Sequence, residues 1–208
     1  MKKLYTILLL SVFSFSFSQT NFGVKAGYNL SNMKWKFDNF DDYKFNSKSY
    51  FYVGAIAEHY LSNKISLQGE LLFTQLGGQT SEDVVDIVGN EVVELGTATT
   101  KIITTQLQLP ISVKYYFIPN FSLSGGVNFG FNLSSKSKSN FNYSGAYNGS
   151  IDTFKTLNIF PFLGAEYKFN NRIFTDARYN FGAFNTAVSG APDTRIGFFQ
   201  IGLGYRFK

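Results

Sequence analysis

The sequence predicts an all-β chain, an eight-stranded antiparallel up-and-down transmembrane β-barrel with short periplasmic turns and four longer extracellular loops. Three observations carry that prediction. Apolar residues alternate with small or polar ones through eight stretches of the 208 residues, the mark of strands with one greasy face. The connections between those stretches alternate strictly between short and long. The greasy faces also hold more bulk than a small barrel can enclose.

The first residues stand apart from the pattern. MKKLYTILLLSVFSFSFSQT opens with Lys2 and Lys3, runs apolar from Leu4 to Phe13, and carries Ser16 and Ser18 before Gln19. This order predicts a cleavable signal peptide over 1–18 and an exported barrel domain over 19–208. A membrane anchor is the alternative, but the apolar run is short and its end is rich in serine. No later run reaches the roughly 18 apolar residues of a spanning helix.

The eight strands follow in order. Residues 21–31 set Phe22, Val24, Ala26, Tyr28 and Leu30 against Gly23, Lys25, Gly27 and Asn29; residues 50–61 set Phe51, Val53, Ala55 and Ala57 against Gly54, Glu58 and Tyr60. The third, 65–76, and fourth, 104–117, do the same, with Gln68, Glu70, Gln106, Gln108, Ser112 and Lys114 on their polar faces. In the fifth, Phe121, Leu123, Val127, Phe129, Phe131 and Leu133 alternate with Ser122, Ser124, Gly126, Asn128, Gly130 and Asn132. The sixth spans 156–169, the seventh 172–183, and the eighth is the final FFQIGLGYRFK, 198–208.

Three connections are tight and made of turn residues: Ser62-Asn63-Lys64, Ile118-Pro119-Asn120 and Asn170-Asn171. The other four, 32–49, 77–103, 134–155 and 184–195, are long. Tight turns at one end and long loops at the other are the connectivity of outer-membrane barrels, with the tight turns periplasmic.

Alternation alone does not say which face is inside, and a soluble barrel or a β-sandwich also alternates. Volume decides. About five large apolar side chains on each strand would overfill an eight-stranded lumen, whereas glycine, serine and asparagine fit it. The apolar face therefore looks out and requires lipid. The inward positions then collect Lys25, Lys114, Lys168, Arg178 and Arg206 beside Glu58, Glu70, Glu166 and Asp176. Charges so nearly balanced suit a sparsely hydrated lumen. They read as ion pairs that stiffen and plug the barrel rather than as the lining of a small pore. Aromatics such as Tyr60, Tyr116, Phe117, Tyr167, Phe169, Tyr205 and Phe207 gather near strand ends, and those that face outward are expected at a headgroup girdle.

Four stretches carry a family likeness. GVKAGYNLS, SLQGELLFTQLGG, LQLPISVKYYF and IGLGYRFK resemble the PorT-like outer-membrane β-barrel domain family of Bacteroidetes, barrels of the OmpA/OmpX-like eight-stranded kind. The resemblance covers essentially the whole chain after the signal. It implies the fold and places Pro110 at that family's strand proline, where a bulge is expected because proline lacks a donor. It also implies an accessory place in a protein secretion or gliding machine as one role. A last strand ending on Phe207, one residue short of the terminal Lys208, resembles the signal read by barrel-assembly machinery.

Chemistry is sparse. The sequence assigns no catalytic residue, cofactor or metal site. Without cysteine, disulfides, thiol catalysis and lipoprotein anchoring drop out. Loss of Lys2 and Lys3 lowers the net charge from +5 to about +3, too little and too dispersed for a nucleic-acid partner. An outer-membrane lipid-modifying enzyme would need a histidine beside a nucleophile. The one histidine, His59, falls on the lipid face near a turn and reads as interfacial.

The loops offer more. Residues 82–94, EDVVDIVGNEVVE, match no calcium-loop spacing and read as a hairpin around Gly89-Asn90 whose edges could recruit a strand. The segment 33–45 interleaves Trp35, Phe37, Phe40, Tyr43 and Phe45 with charges. It is a candidate contact site, since aromatics dominate binding hot spots, or else an upper girdle packed on neighbouring loops. Lys136 and Lys138 are placed to meet lipopolysaccharide phosphates. The expected protein is therefore non-enzymatic, a filled barrel in the outer membrane whose surface loops serve adhesion or contact with a surface or secretion-system protein.

Overall fold

The computed structural model describes residues 19–37, 41–88, 91–140 and 148–207. The expected signal peptide, Phe40, the hairpin tip Gly89-Asn90 and Lys208 lie outside these residues. Ten strands are present among them: β1 (Thr20–Lys36), β2 (Tyr43–Lys44), β3 (Lys48–Tyr60), β4 (Ile65–Val88), β5 (Glu91–Ile118), β6 (Phe121–Ser139), β7 (Gly149–Ser150), β8 (Leu157–Lys168), β9 (Ile173–Asn180) and β10 (Asp193–Arg206). Eight are long and pair antiparallel with their neighbours in the order β10-β9-β8-β6-β5-β4-β3-β1, and β10 pairs back onto β1 to close the ring. The two-residue strands β2 and β7 extend β1 and β6 at the long-loop end.

The register fixes the shape of the ring. Starting at Tyr167 and stepping to the paired residue on each next strand leads through Thr175, Leu203, Ala26, Val53, Phe73, Leu107 and Phe131. The path returns to β8 at Leu157, ten residues from its start. A stagger of ten residues around eight strands, with a rise of about 3.3 Å and a spacing of about 4.8 Å, tilts the strands about 40° and gives a radius near 8 Å. Such a lumen holds side chains and little else.

Burial follows the predicted faces. Phe22, Val24, Tyr28, Leu30, Phe51, Val53, Leu71, Leu123, Leu163, Ile201 and Leu203 are exposed on the outside, whereas Lys25, Glu58, Gln68, Glu70, Gln108, Lys114, Asn128, Glu166, Asp176, Arg178 and Arg206 are buried. Polar side chains thus occupy the core and apolar ones the surface. Edge-to-face ring pairs Tyr115–Phe117, Tyr167–Phe169 and Tyr205–Phe207 belt the outside at the tight-turn end. Tyr60 and Tyr116 stack with each other inside that mouth.

Three details depart from the sequence reading. The strands run further at the long-loop end: β1 reaches Lys36, β6 reaches Ser139 and β10 begins at Asp193, while β4 and β5 continue to Val88 and Glu91 as the expected hairpin. Pro110 makes no bulge. It keeps register with Asn128, and the β4–β5 pairing lapses only between Gly69–Ile111 and Leu72–Gln108 before resuming in the same register, because a missing donor interrupts the ladder without an inserted residue. The register shift in this part of β5–β6 lies instead at Thr105/Gln106.

The third departure is that the inner wall is less polar than expected. Tyr52, Ile56, Leu72, Phe160, Phe162, Phe174 and Phe198 are buried among its side chains. The glycines of β10 make room for two of them. A Cβ on Gly204 would run into the Phe174 ring and one on Gly202 into the Tyr52 hydroxyl, so the bare inner face of the last strand is the floor on which neighbouring rings lie.

Candidate functional site

The lumen is filled in layers, and each layer uses residue types that the alternation places inward. At the extracellular end Met33, Phe45, Leu76, Phe160, Ile196 and Phe198 pack into an apolar plug, with Phe160 edge-on to Phe198 at 5.3 Å. Below it runs a chain of amides. Gln108 donates to Gln106 at 3.2 Å, Asn128 donates to Gln108 and to Asn180 at 3.1 and 3.2 Å, and Asn180 donates to Gln200 at 3.0 Å.

Two ion clusters come next. In the upper one Lys25 Nζ lies 2.9 Å from both Glu70 and Asp176, and Arg178 Nη2 lies 2.5 Å from Glu70 and 3.0 Å from Asp176. In the lower one Lys114 Nζ is 3.2 Å from Glu58 and 2.7 Å from Glu166, and Arg206 Nη2 is 2.7 Å from each of the same two carboxylates. Ser66 and Tyr116 also donate to Glu58. Gln68 joins the clusters, accepting from Lys114 at 3.1 Å and donating to Glu70 at 2.7 Å. Each cluster holds two cations and two carboxylates, so each closes at zero formal charge. Burial of such groups is tolerated only with this degree of pairing.

Eight of the nine charged lumen residues named from sequence are thereby brought together. The ninth, Lys168, stays outside the ion pairs. Its Nζ donates to Tyr60 Oη at 2.8 Å and sits 4.0 Å over the Tyr116 ring, beside a pocket of about 570 Å³ that also takes in Gln19, Asn21, Ser62 and Asn63 at the tight-turn mouth. The amide chain was not singled out from sequence, although the alternating glutamines of 104–117 were its visible signal.

The aromatic segment divides. Trp35 and Phe45 meet edge-on at 4.8 Å, Phe45 is buried in the plug, and Trp35 packs against it. These two residues roof the lumen. Phe37 and Tyr43 are exposed, and Tyr43 Oη donates to Glu82 at 3.0 Å, tying β2 to the hairpin above. His59 Nδ1 is hydrogen bonded to Thr20 Oγ1 at 2.9 Å, on the rung that pairs β1 with β3.

The hairpin rises beyond the ring. β3 pairs with β4 as far as Thr74, with one further bridge at Asn46–Gln79, and β6 pairs with β5 as far as Thr100. Past those points the ribbon has no neighbouring strand among the described residues. A register shift between Val84 and Val85 leaves Leu95 as the extra residue of β5. Val85, Val92, Val93 and Leu95 are exposed, among Glu82, Asp83, Asp86, Glu91 and Glu94. No group of three or more His, Cys, Asp or Glu among the described residues is arranged to hold a metal ion.

A closed, staggered, lipid-facing ring filled with paired charges is an outer-membrane β-barrel. The chain belongs to the family described as "Outer membrane protein beta-barrel domain", which it matches over residues 16–187; β10, beyond that stretch, completes the ring. Among solved structures it is similar to Ail, the attachment invasion locus protein of Yersinia pestis, in complex with the heparin analogue sucrose octasulfate. That likeness has 15% identity, a TM-score of 0.53, and coverage of 91% of this chain and 99% of Ail. It is also similar to Neisserial surface protein A, with 12% identity, a TM-score of 0.55, and coverage of 89% and 97%. No curated protein matches. The family and the fold place the chain in the outer membrane.

Proposed function

We propose that this barrel is a non-enzymatic, sealed anchor that holds the β4–β5 hairpin and its neighbouring loops at the cell surface for contact with a macromolecular partner. One observation carries the reading: among the described residues the ribbon continues past its last neighbouring strand, with two backbone edges that no other described strand pairs. Open edges template strand addition, in which backbone hydrogen bonds supply affinity and alternate side chains supply selectivity. The acidic side chains along the ribbon favour a partner with a basic strand. Ail carries attachment in its name; for this chain the attachment reading rests on the ribbon.

The test replaces residues 83–97 with an Asn-Gly turn between the paired Glu82 and Ala98 and compares cells displaying either protein for surface attachment and for capture of a basic, strand-forming probe peptide. Loss of both, with heat-modifiable migration retained, supports the reading. Retention of both by the shortened protein overturns it.

A second reading follows from the four PorT-like stretches, which favour an accessory role in a protein secretion or gliding machine. Normal secretion and gliding in a strain lacking the chain would remove that reading and leave the first untouched.

A further inference from the structure

The outer wall of β5 and β6 carries a feature that strand addition at the hairpin does not use. Lys101 stands directly opposite Lys138, and Ile103 opposite Lys136. Below this level β6 turns its odd-numbered residues outward, as with Leu123 and Phe131. The register shift opposite Thr105/Gln106 leaves Leu133 as an extra residue, and above it the parity reverses: Ser135 and Ser137 are buried while Lys136 and Lys138 are exposed. Re-aiming side chains is what bulges do. Without this one, both lysines would point over the lumen instead of away from the wall. Lys101 shares the outward parity of Leu107 and Leu109 on β5.

Nothing within the described residues compensates the three ammonium groups. The ion pairs on the exposed surface are Lys34–Asp42 and Arg195–Asp193, elsewhere on the ring. Like charges directly opposite across an antiparallel pair oppose the pairing. The lysines also sit at a defined depth. On the outward face a single polar rung, Thr105–Ser134, separates them from Leu107–Phe131 and the apolar band below, which is where headgroups meet a lipid-facing wall. Lys136 to Ser139, with Asn148 and Gly149, line an open recess of about 370 Å³ beside them, with room for a sugar phosphate.

We propose that Lys101, Lys136 and Lys138 form a binding site for the lipid A phosphates of lipopolysaccharide in the outer leaflet. The outer-membrane placement underlies this inference, whereas the role of the hairpin does not. A phosphorylated glycolipid supplies the missing negative charge at the right height, and its acyl chains lie against the apolar wall beneath. The acids of the hairpin, further out on the same two strands, are repelled by the same anionic surface, so one ribbon is held down at its base and pushed away at its end.

The test uses the purified full chain in detergent and two variants of equal charge loss, K101Q/K136Q/K138Q and K36Q/K44Q/K155Q, both checked for heat-modifiable migration. Binding is measured to lipopolysaccharide, to lipid A stripped of its phosphates, and to phosphatidylglycerol. The first variant is expected to lose roughly tenfold or more in affinity for lipopolysaccharide and the second less than about threefold. The unaltered protein is expected to bind dephosphorylated lipid A at least about tenfold more weakly. Equal losses in the two variants, undiminished binding to the dephosphorylated lipid, or phosphatidylglycerol bound as tightly as lipopolysaccharide would each overturn the site.

Discussion

The lumen and the hairpin are built from the same two kinds of position, alternating along the same strands, and they are held in opposite ways. In the lumen every described layer is cross-linked: the plug by ring contacts, the amides by hydrogen bonds, and the two clusters by carboxylates shared between β1, β3, β4, β5, β8, β9 and β10. In the hairpin the side-chain links include Thr97 to Asp83 at 3.0 Å and Ser81 to Thr99 at 3.0 Å within the ribbon, and Tyr43 to Glu82 at 3.0 Å to its neighbour, with no charged cluster shared across the ring among the described residues. The difference teaches where stability and where freedom to change partners reside. A side chain that ties strands from opposite sides of a ring cannot vary alone, whereas one on a free ribbon can.

The contrast can be broken most forcefully at Glu166, which faces both Lys114 and Arg206. Glu166→Leu leaves two buried cations with one carboxylate between them, and the expected loss is about 3–5 kcal/mol in urea unfolding from lipid vesicles. Adding Lys114→Met to that variant is expected to restore part of the loss. A loss below about 1 kcal/mol for Glu166→Leu would mean that the clusters do not hold the ring.

Phe160→Ala empties the centre of the plug and is expected to cost about 3 kcal/mol by the same measurement. Planar bilayers carrying this variant are expected to remain non-conducting, because the amide chain and both ion clusters still fill the lumen below. A steady current would move the seal from the layers to the plug alone.

Lys168→Met separates the pair-bonded cations from the tyrosine-stacked one. The expected effect is about 1 kcal/mol or less, since it removes one hydrogen bond and a cation–π contact near water. A cost as large as that of Glu166→Leu would place Lys168 among the ion clusters after all. The smallest effect belongs to the ribbon: replacing 83–97 with an Asn-Gly turn is expected to change stability by less than about 0.5 kcal/mol, while removing the surface contacts proposed above.

Much of the ring was legible in the sequence because period-two alternation, turn residues and bulk are local properties. Residues 121–133 announce their strand, and Asn170-Asn171 its turn, with no help from the rest of the chain. The balance of inward charges was legible too, as was the hairpin in 82–94. What local pattern did not show was pairing across the lumen. That Glu70 meets Lys25 and Arg178 depends on the ten-residue stagger, which no single strand encodes. Phe160, Phe162 and Phe174 look like more lipid-facing bulk until parity and the bare inner face of β10 give them a place inside. The bulge at Leu133, which decides the direction of Lys136 and Lys138, leaves no mark in composition.

The pairing of β10 with β1 also sets the order of events. Its rungs run from Gly23–Arg206 to Lys36–Asp193, joining the first strand of the ring to the last, and contacts between distant parts of a chain form slowly. Until the final residues arrive, β1 offers an unmatched edge and Lys25 and Glu58 lack Asp176 and Arg206. The intermediate is an open sheet whose polar interior is half-charged and whose exterior is greasy. Such a chain has no stable half-built form in water. Only the fourteen-rung seam between β10 and β1 closes that sheet and brings the last cations to their carboxylates.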